Sequence, residues 1–125
     1  MNQFVKKIIF STILLLCLDG IYIYINQQFF ADTIVNVQRV IMQIKPVGAL
    51  FAYLFIIFMV NYFILSKNRS ALEAFVLGFT TYGIYEFTNY AMIKKWPISM
   101  VIMDTIWGGI LFGLTTHITY MLLNL

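Results

Sequence analysis

The sequence predicts an all-α integral membrane protein, namely a four-helix bundle with one amphipathic interfacial helix between spans 1 and 2. Two observations support this fold class: the composition, and four apolar segments that are each long enough to cross a bilayer. Of the 125 residues, 62% are hydrophobic and only 10% are charged. A soluble domain of this length has too small an interior for so much apolar surface. We therefore expect a multi-pass protein with a single transmembrane domain over residues 1–125.

The charges and the lone cysteine restrict the class of partner. The net charge of +3 is distributed in short clusters at the ends of apolar segments, which is typical of anchoring at lipid headgroups rather than of nucleic-acid binding. We expect membrane lipid as a partner and no nucleic acid. Cys17 is the only cysteine, so an intrachain disulfide is excluded. The sequence contains no HExxH, CxxC, P-loop, Rossmann or GxSxG pattern.

The first span is predicted at about residues 8–26. Lys6 and Lys7 precede its apolar run in the manner of a signal peptide, but no small-x-small cleavage site follows. An uncleaved first span is therefore expected. Asp19 lies inside this span, and Tyr22 shares its helix face, so we expect the tyrosine hydroxyl to reach the Asp19 carboxyl.

An amphipathic helix is predicted at about residues 31–45, with Asp32 in its first turn. Its apolar face holds Phe30, Ile34, Val37, Ile41 and Ile44, and its polar face holds Asp32, Asn36, Arg39 and Gln43. The segment is too polar to span a bilayer, so it is expected to lie in the membrane interface. The alternative is an ordinary helix outside the membrane that packs on the bundle. Pro46 ends this segment and suits the first turn of the next helix.

Three further apolar segments predict the second, third and fourth spans at about residues 47–65, 71–93 and 98–123. A tight basic turn over residues 66–70 follows the second span, and Trp96 lies with two lysines at the next junction, where the interface favours these residue types. An even number of spans places both termini on one side. The lysines ahead of the first span favour the cytoplasmic side for both termini.

Three carboxyl groups at membrane depth mark the candidate functional site, because charges there are costly and indicate function. Asp19, Glu86 and Asp104 each lie seven or eight residues from one end of their helix, which is roughly 10–12 Å at about 1.5 Å per residue. Since the three ends face the same side, the carboxyl groups are expected at one level. The residues expected to line a substrate space beside them are Tyr82, Tyr85, Asn89 and Trp107.

Several kinds of chemistry are open to these carboxyl groups. They could bind a divalent cation as cofactor, since carboxylate oxygens suit hard metal ions. They could carry protons and hydrogen-bond to the nearby tyrosines and to each other. They could act as a general acid and base in a membrane-embedded enzyme. The remaining alternative is a polar network that only fixes helix packing.

The fourth span also carries a GxxxG pair, Gly109 and Gly113, on a face nearly opposite to Asp104. This pattern permits close contact between helices, so it is the predicted surface for a homo-oligomer. His117 continues the same face. A packing or interfacial role is favoured for this histidine over a catalytic one.

A distinctive pattern runs from the third span into the fourth. It reads Tyr82-Gly83-x-Tyr85-Glu86-x-Thr88-Asn89-x-Ala91, then Trp96-Pro97, then Asp104-x-x-Trp107-Gly108. This pattern, with the Leu18-Asp19 step in the first span, resembles a family of small bacterial and viral predicted membrane proteins that is catalogued as a domain of unknown function. In that family an Asp is usual in place of Glu86 and a Trp is usual near Tyr22. The resemblance implies four spans and no assigned activity.

The sequence does not decide whether the protein is an enzyme. The leading hypothesis is a membrane-embedded enzyme on a lipid or other hydrophobic substrate, with Asp19, Glu86 and Asp104 as its catalytic residues. Such substrates present their reactive ends near the level of these carboxyl groups. The alternative is a small cation- or proton-coupled transporter, which with four spans would be an oligomer. The third hypothesis is a structural membrane subunit.

Overall fold

The computed structural model describes residues 2–39 and 43–125. Within these two ranges it contains five α-helices and no strand, so the predicted all-α class is confirmed. The helices are α1 (Gln3–Ile25), α2 (Gln27–Gln38), α3 (Pro46–Met59), α4 (Ala71–Met92) and α5 (Ile98–Leu122). Four of them coincide within a few residues with the four apolar segments of the sequence.

The helix that begins as α3 continues beyond its α-helical part with two changes of pitch. The whole of it, Pro46–Lys67, is called here the second long helix. A π-helical turn, Val60–Ile64, is followed by a 3-10 turn, Leu65–Lys67. Asn68, with φ of 52°, then ends the helix in the left-handed conformation. The π turn is a local widening of the helix, and its first and last side chains are both buried in the core.

Three helices are long and apolar enough to cross a membrane: Gln3–Ile25, Pro46–Lys67 and Ile98–Leu122. The chain is thus a helical protein with three candidate membrane-spanning helices. The predicted third span is also a helix, α4, but it does not meet this measure. Two glutamates, Glu73 and Glu86, together with threonine, tyrosine and asparagine side chains, lower its hydropathy.

Helix α1 lies antiparallel to both α3 and α5. Near one end, Ser11 accepts a hydrogen bond of 3.0 Å from the Asn61 side-chain amide in the π turn. Near the other end, Asp19 accepts hydrogen bonds from Tyr53 of α3 and Trp107 of α5. Later residues of α1 thus pair with earlier residues of the helix that begins as α3. Helix α1 contacts both of its neighbours.

The apolar core lies in the half of the molecule next to the chain termini. All of the long helices contribute to it, through Leu15, Val60, Ile64, Leu65, Ala74, Leu111 and Phe112. Leu15 and Leu111 are completely buried between α1 and α5. The core thus lies between the polar contacts of Lys7 near the termini and those of Asp19 towards the opposite end.

Helices α4 and α5 form the tightest pair. A Cβ atom added at Gly78 would lie 2.1 Å from the carbonyl oxygen of Gly108, and one added at Gly108 would lie 2.3 Å from Cγ of Tyr82. Glycine at both positions therefore lets the two backbones approach more closely than any other residue would permit. This close approach fixes how α4 is rotated against α5.

The GxxxG pair of α5 also faces α4 of the same chain. A Cβ atom at Gly109 would lie 2.8 Å from Cε2 of Phe75, and one at Gly113 would lie 3.5 Å from Cβ of Phe75. These glycines are therefore engaged in packing within the chain, and the homo-oligomer remains a prediction. His117 is exposed on the surface of α5.

One end of the molecule carries both chain termini and is called here the terminal end. There, side chains of α1 and α5 donate hydrogen bonds to residues 65–69. The Lys7 ammonium group is buried and donates to the carbonyl oxygen of Leu65 and to Oδ1 of Asn68, both at 2.8 Å. The Tyr120 hydroxyl donates to the carbonyl oxygen of Arg69 at 2.6 Å. Lys7 thus stabilises the end of the second long helix. Its place in the sequence suggested instead that it extends towards lipid headgroups.

Helix α2 has different bounds from those predicted. It covers Gln27–Gln38, whereas the amphipathic pattern indicated about 31–45. Arg39, with φ of 58°, ends the helix in the left-handed conformation, and residues 43–45 are not helical. Residues 40–42, which include one position of the predicted apolar face, lie outside the described residues.

The amphipathic character of α2 is present over its described length. Its apolar positions Phe30, Ile34 and Val37 are partly buried, whereas Asn36 is exposed. Asp32 lies in the second turn rather than the first, where its carboxylate accepts a hydrogen bond of 2.8 Å from the Gln28 side chain. An early turn of α2 is thus stabilised by a side-chain pair at i, i+4 spacing.

Replacing Gly78 with alanine is expected to lower thermal stability, because the added methyl group would collide with the Gly108 backbone. Overpacking of this kind costs about 1–3 kcal/mol. Gly20→Ala is the matched control, since a Cβ atom there meets nothing within 4 Å and alanine is favoured over glycine inside a helix by roughly 0.5–1 kcal/mol. Thermal unfolding of the purified variants should shift in opposite directions. Equal shifts would contradict the close approach of α4 and α5.

Candidate functional site

The candidate site lies at the end of the molecule opposite the terminal end, and Asp19 lies at its centre. This carboxyl group is buried, with 6% of the residue exposed. Its Oδ1 atom accepts a hydrogen bond of 2.9 Å from Nε1 of Trp107, and its Oδ2 atom accepts one from the Tyr53 hydroxyl. Both oxygens of Asp19 are thus used to join α1 to α5 and to α3.

Asp104 lies about one turn of α5 before Trp107 and is held by Tyr22. The Tyr22 hydroxyl donates to Oδ1 of Asp104 at 3.1 Å. The ring of Tyr22 stacks on Trp107, with ring centroids 4.5 Å apart and an angle of 3° between the planes. Asp19 and Asp104 are therefore linked through one stacked aromatic pair. Tyr22 was expected to reach Asp19, which is on its own helix, but it donates across to α5 instead.

Glu86 completes the set from α4. It is almost fully buried, with 2% of the residue exposed. Its Oε1 atom accepts a hydrogen bond of 2.9 Å from Nε1 of Trp96, which lies in the loop between α4 and α5. The Asp104 carboxyl group of α5 neighbours the Glu86 carboxyl group.

The structure therefore brings together the three carboxyl groups that the sequence singled out, but not as three equivalent ligands. Glu86 and Asp104 are neighbours, whereas Asp19 is linked to Asp104 through the side chains of Trp107 and Tyr22. Among the residues that the structure describes, no group of three or more His, Cys, Asp or Glu side chains could hold a metal ion. A divalent cation was one of the alternatives that the sequence left open, and both Asp19 oxygens are directed at Tyr53 and Trp107 instead.

The residues expected to line the space divide into two groups. Trp107 and Tyr82 lie between the helices, and the Tyr82 ring meets Phe112 edge-on with centroids 6.3 Å apart. Tyr85, by contrast, is 59% exposed on the outer surface of α4 and is not placed with the carboxyl groups. Asn89 is partly exposed one turn after Glu86, and its side chain makes no hydrogen bond to the part of the chain that is described.

Two residues of this site, Tyr53 and Trp96, were missed by the sequence analysis. Tyr53 lies in an apolar segment without periodicity, and Trp96 was interpreted only as an interfacial anchor. Depth provides the signal for Tyr53, because it follows Pro46 by seven residues and so lies at the level of Asp19. Trp96 carries no comparable signal, since its contact depends on the path of the loop after α4.

These features define a helical membrane protein whose long helices are joined near one end by carboxyl, tyrosine and tryptophan side chains. A family model described as "Predicted membrane protein (DUF2177)" matches residues 4–121. The chain belongs to this family, whose function is unknown, and the resemblance found in the sequence is confirmed. No curated protein and no solved structure matches the chain.

Replacing Tyr53 with phenylalanine is expected to lower stability, because one oxygen of the buried Asp19 carboxyl loses its donor. Hydrogen bonds to charged groups contribute about 1.5–3 kcal/mol. Tyr85→Phe removes the same hydroxyl from an exposed position and should change stability by less than about 0.5 kcal/mol. Thermal unfolding in one detergent compares the two variants. If Tyr53→Phe proved no less stable than Tyr85→Phe, the hydrogen bond to Asp19 would not be a stabilising contact.

Proposed function

We propose that the protein is a membrane-embedded enzyme that acts on the polar end of a lipid or other hydrophobic substrate. The observation that carries the proposal is that the Glu86 and Asp104 carboxyl groups are neighbours between α4 and α5, where Trp96 and Tyr22 donate to them. Two neighbouring carboxyl groups can act as general acid and general base when one of them carries a proton. Glu86 and Asp104 are the proposed catalytic residues.

Asp19 has a positioning role in this proposal, rather than the catalytic role that the sequence suggested. Both of its oxygens already accept hydrogen bonds, which leaves little capacity for a substrate. It orients Trp107, on which Tyr22 stacks, and Tyr22 in turn donates to Asp104. The chain of contacts from Asp19 therefore sets the direction of the Asp104 carboxyl.

The depth and surroundings of the pair favour a lipid as substrate. Asp104 follows Pro97 by seven residues, which is roughly 10 Å below the end of its helix. At this depth the ester and headgroup region of a lipid is within reach, whereas a large soluble substrate is not. Trp96 donates to Glu86 from the adjoining loop, so movement of this side chain would open the pair towards the interface.

A four-span topology is part of the proposal. Its support is the packing of α4 against α5, since α5 is a candidate span and residues 71–83 of α4 run antiparallel to residues 105–113 of α5. Helix α2 then lies in the interface over the carboxyl groups. Both termini lie on the side opposite to α2, which we assign to the cytoplasm on the basis of Lys6 and Lys7.

Cysteine labelling tests this topology. In a background with Cys17 replaced by serine, Arg39→Cys and Lys95→Cys should react with a membrane-impermeant reagent from one side. Lys67→Cys should react only from the other side. Labelling of positions 39 and 95 from opposite sides would contradict the four-span arrangement.

Amide substitutions test the catalytic pair. Glu86→Gln and Asp104→Asn should each reduce activity roughly a hundredfold or more, which is the usual contribution of a general acid or base. The double variant should be little worse than either single variant, because the two groups act as a unit. Activity is measured as restoration of the lipid composition of cells that lack the gene.

Glu73→Gln is the matched control for these substitutions. Glu73 is half exposed at the terminal end, where its carboxylate lies 3.4 Å from the Arg69 guanidinium. This variant should restore the lipid composition fully. If the deletion leaves lipid composition unchanged, and the amide variants of the pair only lower thermal stability, the site is a packing network and the enzyme proposal fails.

Transport is the second candidate function, and one observation favours it. The buried face of α1 is polar at Lys7, Ser11 and Asp19, and only Leu15 interrupts it. Polar residues that follow one face of a membrane helix commonly mark an ion or proton pathway. A proton flux in liposomes that is lost in Asp19→Asn, without any change in cellular lipids, would favour a proton-coupled transporter, which would then be an oligomer.

A further inference from the structure

A groove of about 510 Å³ lies at the terminal end, far from the carboxyl groups. It runs between the last turns of the second long helix and the first half of α4. Its walls are mainly apolar and are formed by Phe63, Ile64, Leu72, Val76 and Leu77, with Thr80 beside them. Leu72 and Val76 are 72% and 55% exposed, so the groove opens on the surface that faces the membrane.

The groove arises from the way in which its two walls are held. Helix α4 is drawn onto α5 by the close contact of Gly78 and Gly108. The second long helix is held on α1 instead, through the hydrogen bond from Asn61 to Ser11. The two walls are joined by only a short turn and do not cover each other's apolar surfaces. The apolar surfaces on the two sides of the groove are therefore left open.

Two cations flank the mouth of the groove. Nζ of Lys67 lies 4.8 Å from the centroid of the Tyr62 ring and 5.7 Å from that of Phe63, so these rings hold the ammonium group beside the groove. The Arg69 guanidinium lies 3.4 Å from the Glu73 carboxylate, which is also at the mouth. Two positive charges face one negative charge, and the mouth has a net positive charge.

We propose that this groove binds an acyl chain of an anionic phospholipid, whose headgroup phosphate lies against Lys67 and Arg69. The apolar walls match a hydrocarbon chain, and the positive mouth lies at the end of a candidate span, where headgroups are found. Charge complementarity favours an anionic lipid over a second copy of this basic chain. The site is at the opposite end from the carboxyl pair and is independent of the proposed enzymatic function.

Native mass spectrometry of the full chain tests the site, after purification in micelles that contain equal amounts of phosphatidylglycerol and phosphatidylcholine. The protein should retain phosphatidylglycerol roughly tenfold over phosphatidylcholine, as expected for two basic side chains near an anionic lipid. The double variant Lys67→Gln/Arg69→Gln should reduce this preference to within about twofold. Lys94→Gln/Lys95→Gln makes the same change of charge at the other end and should keep the preference.

A steric variant tests the groove itself. Val76→Trp places a large side chain in the groove from an exposed position, so it should leave thermal stability unchanged and lower retention of both lipids severalfold. Equal retention of the two lipids by the original protein would overturn the proposal, as would equal loss of preference in both charge variants. Unchanged lipid retention in Val76→Trp would also overturn the proposal. If this variant converted a dimer to a monomer, the occupant of the groove would be a second copy of the chain, and the proposal would again be wrong.

Discussion

The arrangement of the helices depends on one buried carboxyl group, that of Asp19. A carboxyl group surrounded by hydrocarbon is costly unless donors satisfy it, and its donors, Tyr53 and Trp107, come from two other helices. These contacts fix both the depth and the rotation of α3 and α5 against α1. Apolar packing alone does this poorly in a membrane, because lipid chains are as apolar as the helices.

Helix α4 is positioned by a different physical constraint. Its contact with α5 rests on backbone proximity at Gly78 and Gly108, not on a polar side chain. Once that contact is made, Glu86 is carried to the level of Asp104, and the carboxyl pair forms as a consequence. The site thus combines two kinds of specificity: directed hydrogen bonds around α1, and close packing between α4 and α5. Both are needed to bring four helices to one site.

The sequence predicted the helices and the common depth of the carboxyl groups because hydropathy and helical rise determine both. It did not predict the partners of those groups. Residues 46–59 are apolar on every side, so no periodicity indicated that Tyr53 faces inward. Tyr22 shares a helix face with Asp19, yet only the rotation of α5 decides that it meets Asp104. The end of α2 at Arg39 was also missed, because no glycine or proline in the sequence marks this left-handed residue.

The polar face of α1 also has a consequence for biosynthesis. The partners of Lys7 and Asp19 are Leu65, Asn68, Tyr53 and Trp107, and every one of them lies later in the chain. Helix α1 therefore leaves the ribosome with an ammonium group and a carboxyl group that nothing yet satisfies. Its apolar remainder has to hold it in the bilayer until α5, the last helix, has been made. The hydrogen bonds of Asp19 are thus complete only after α5 has been made.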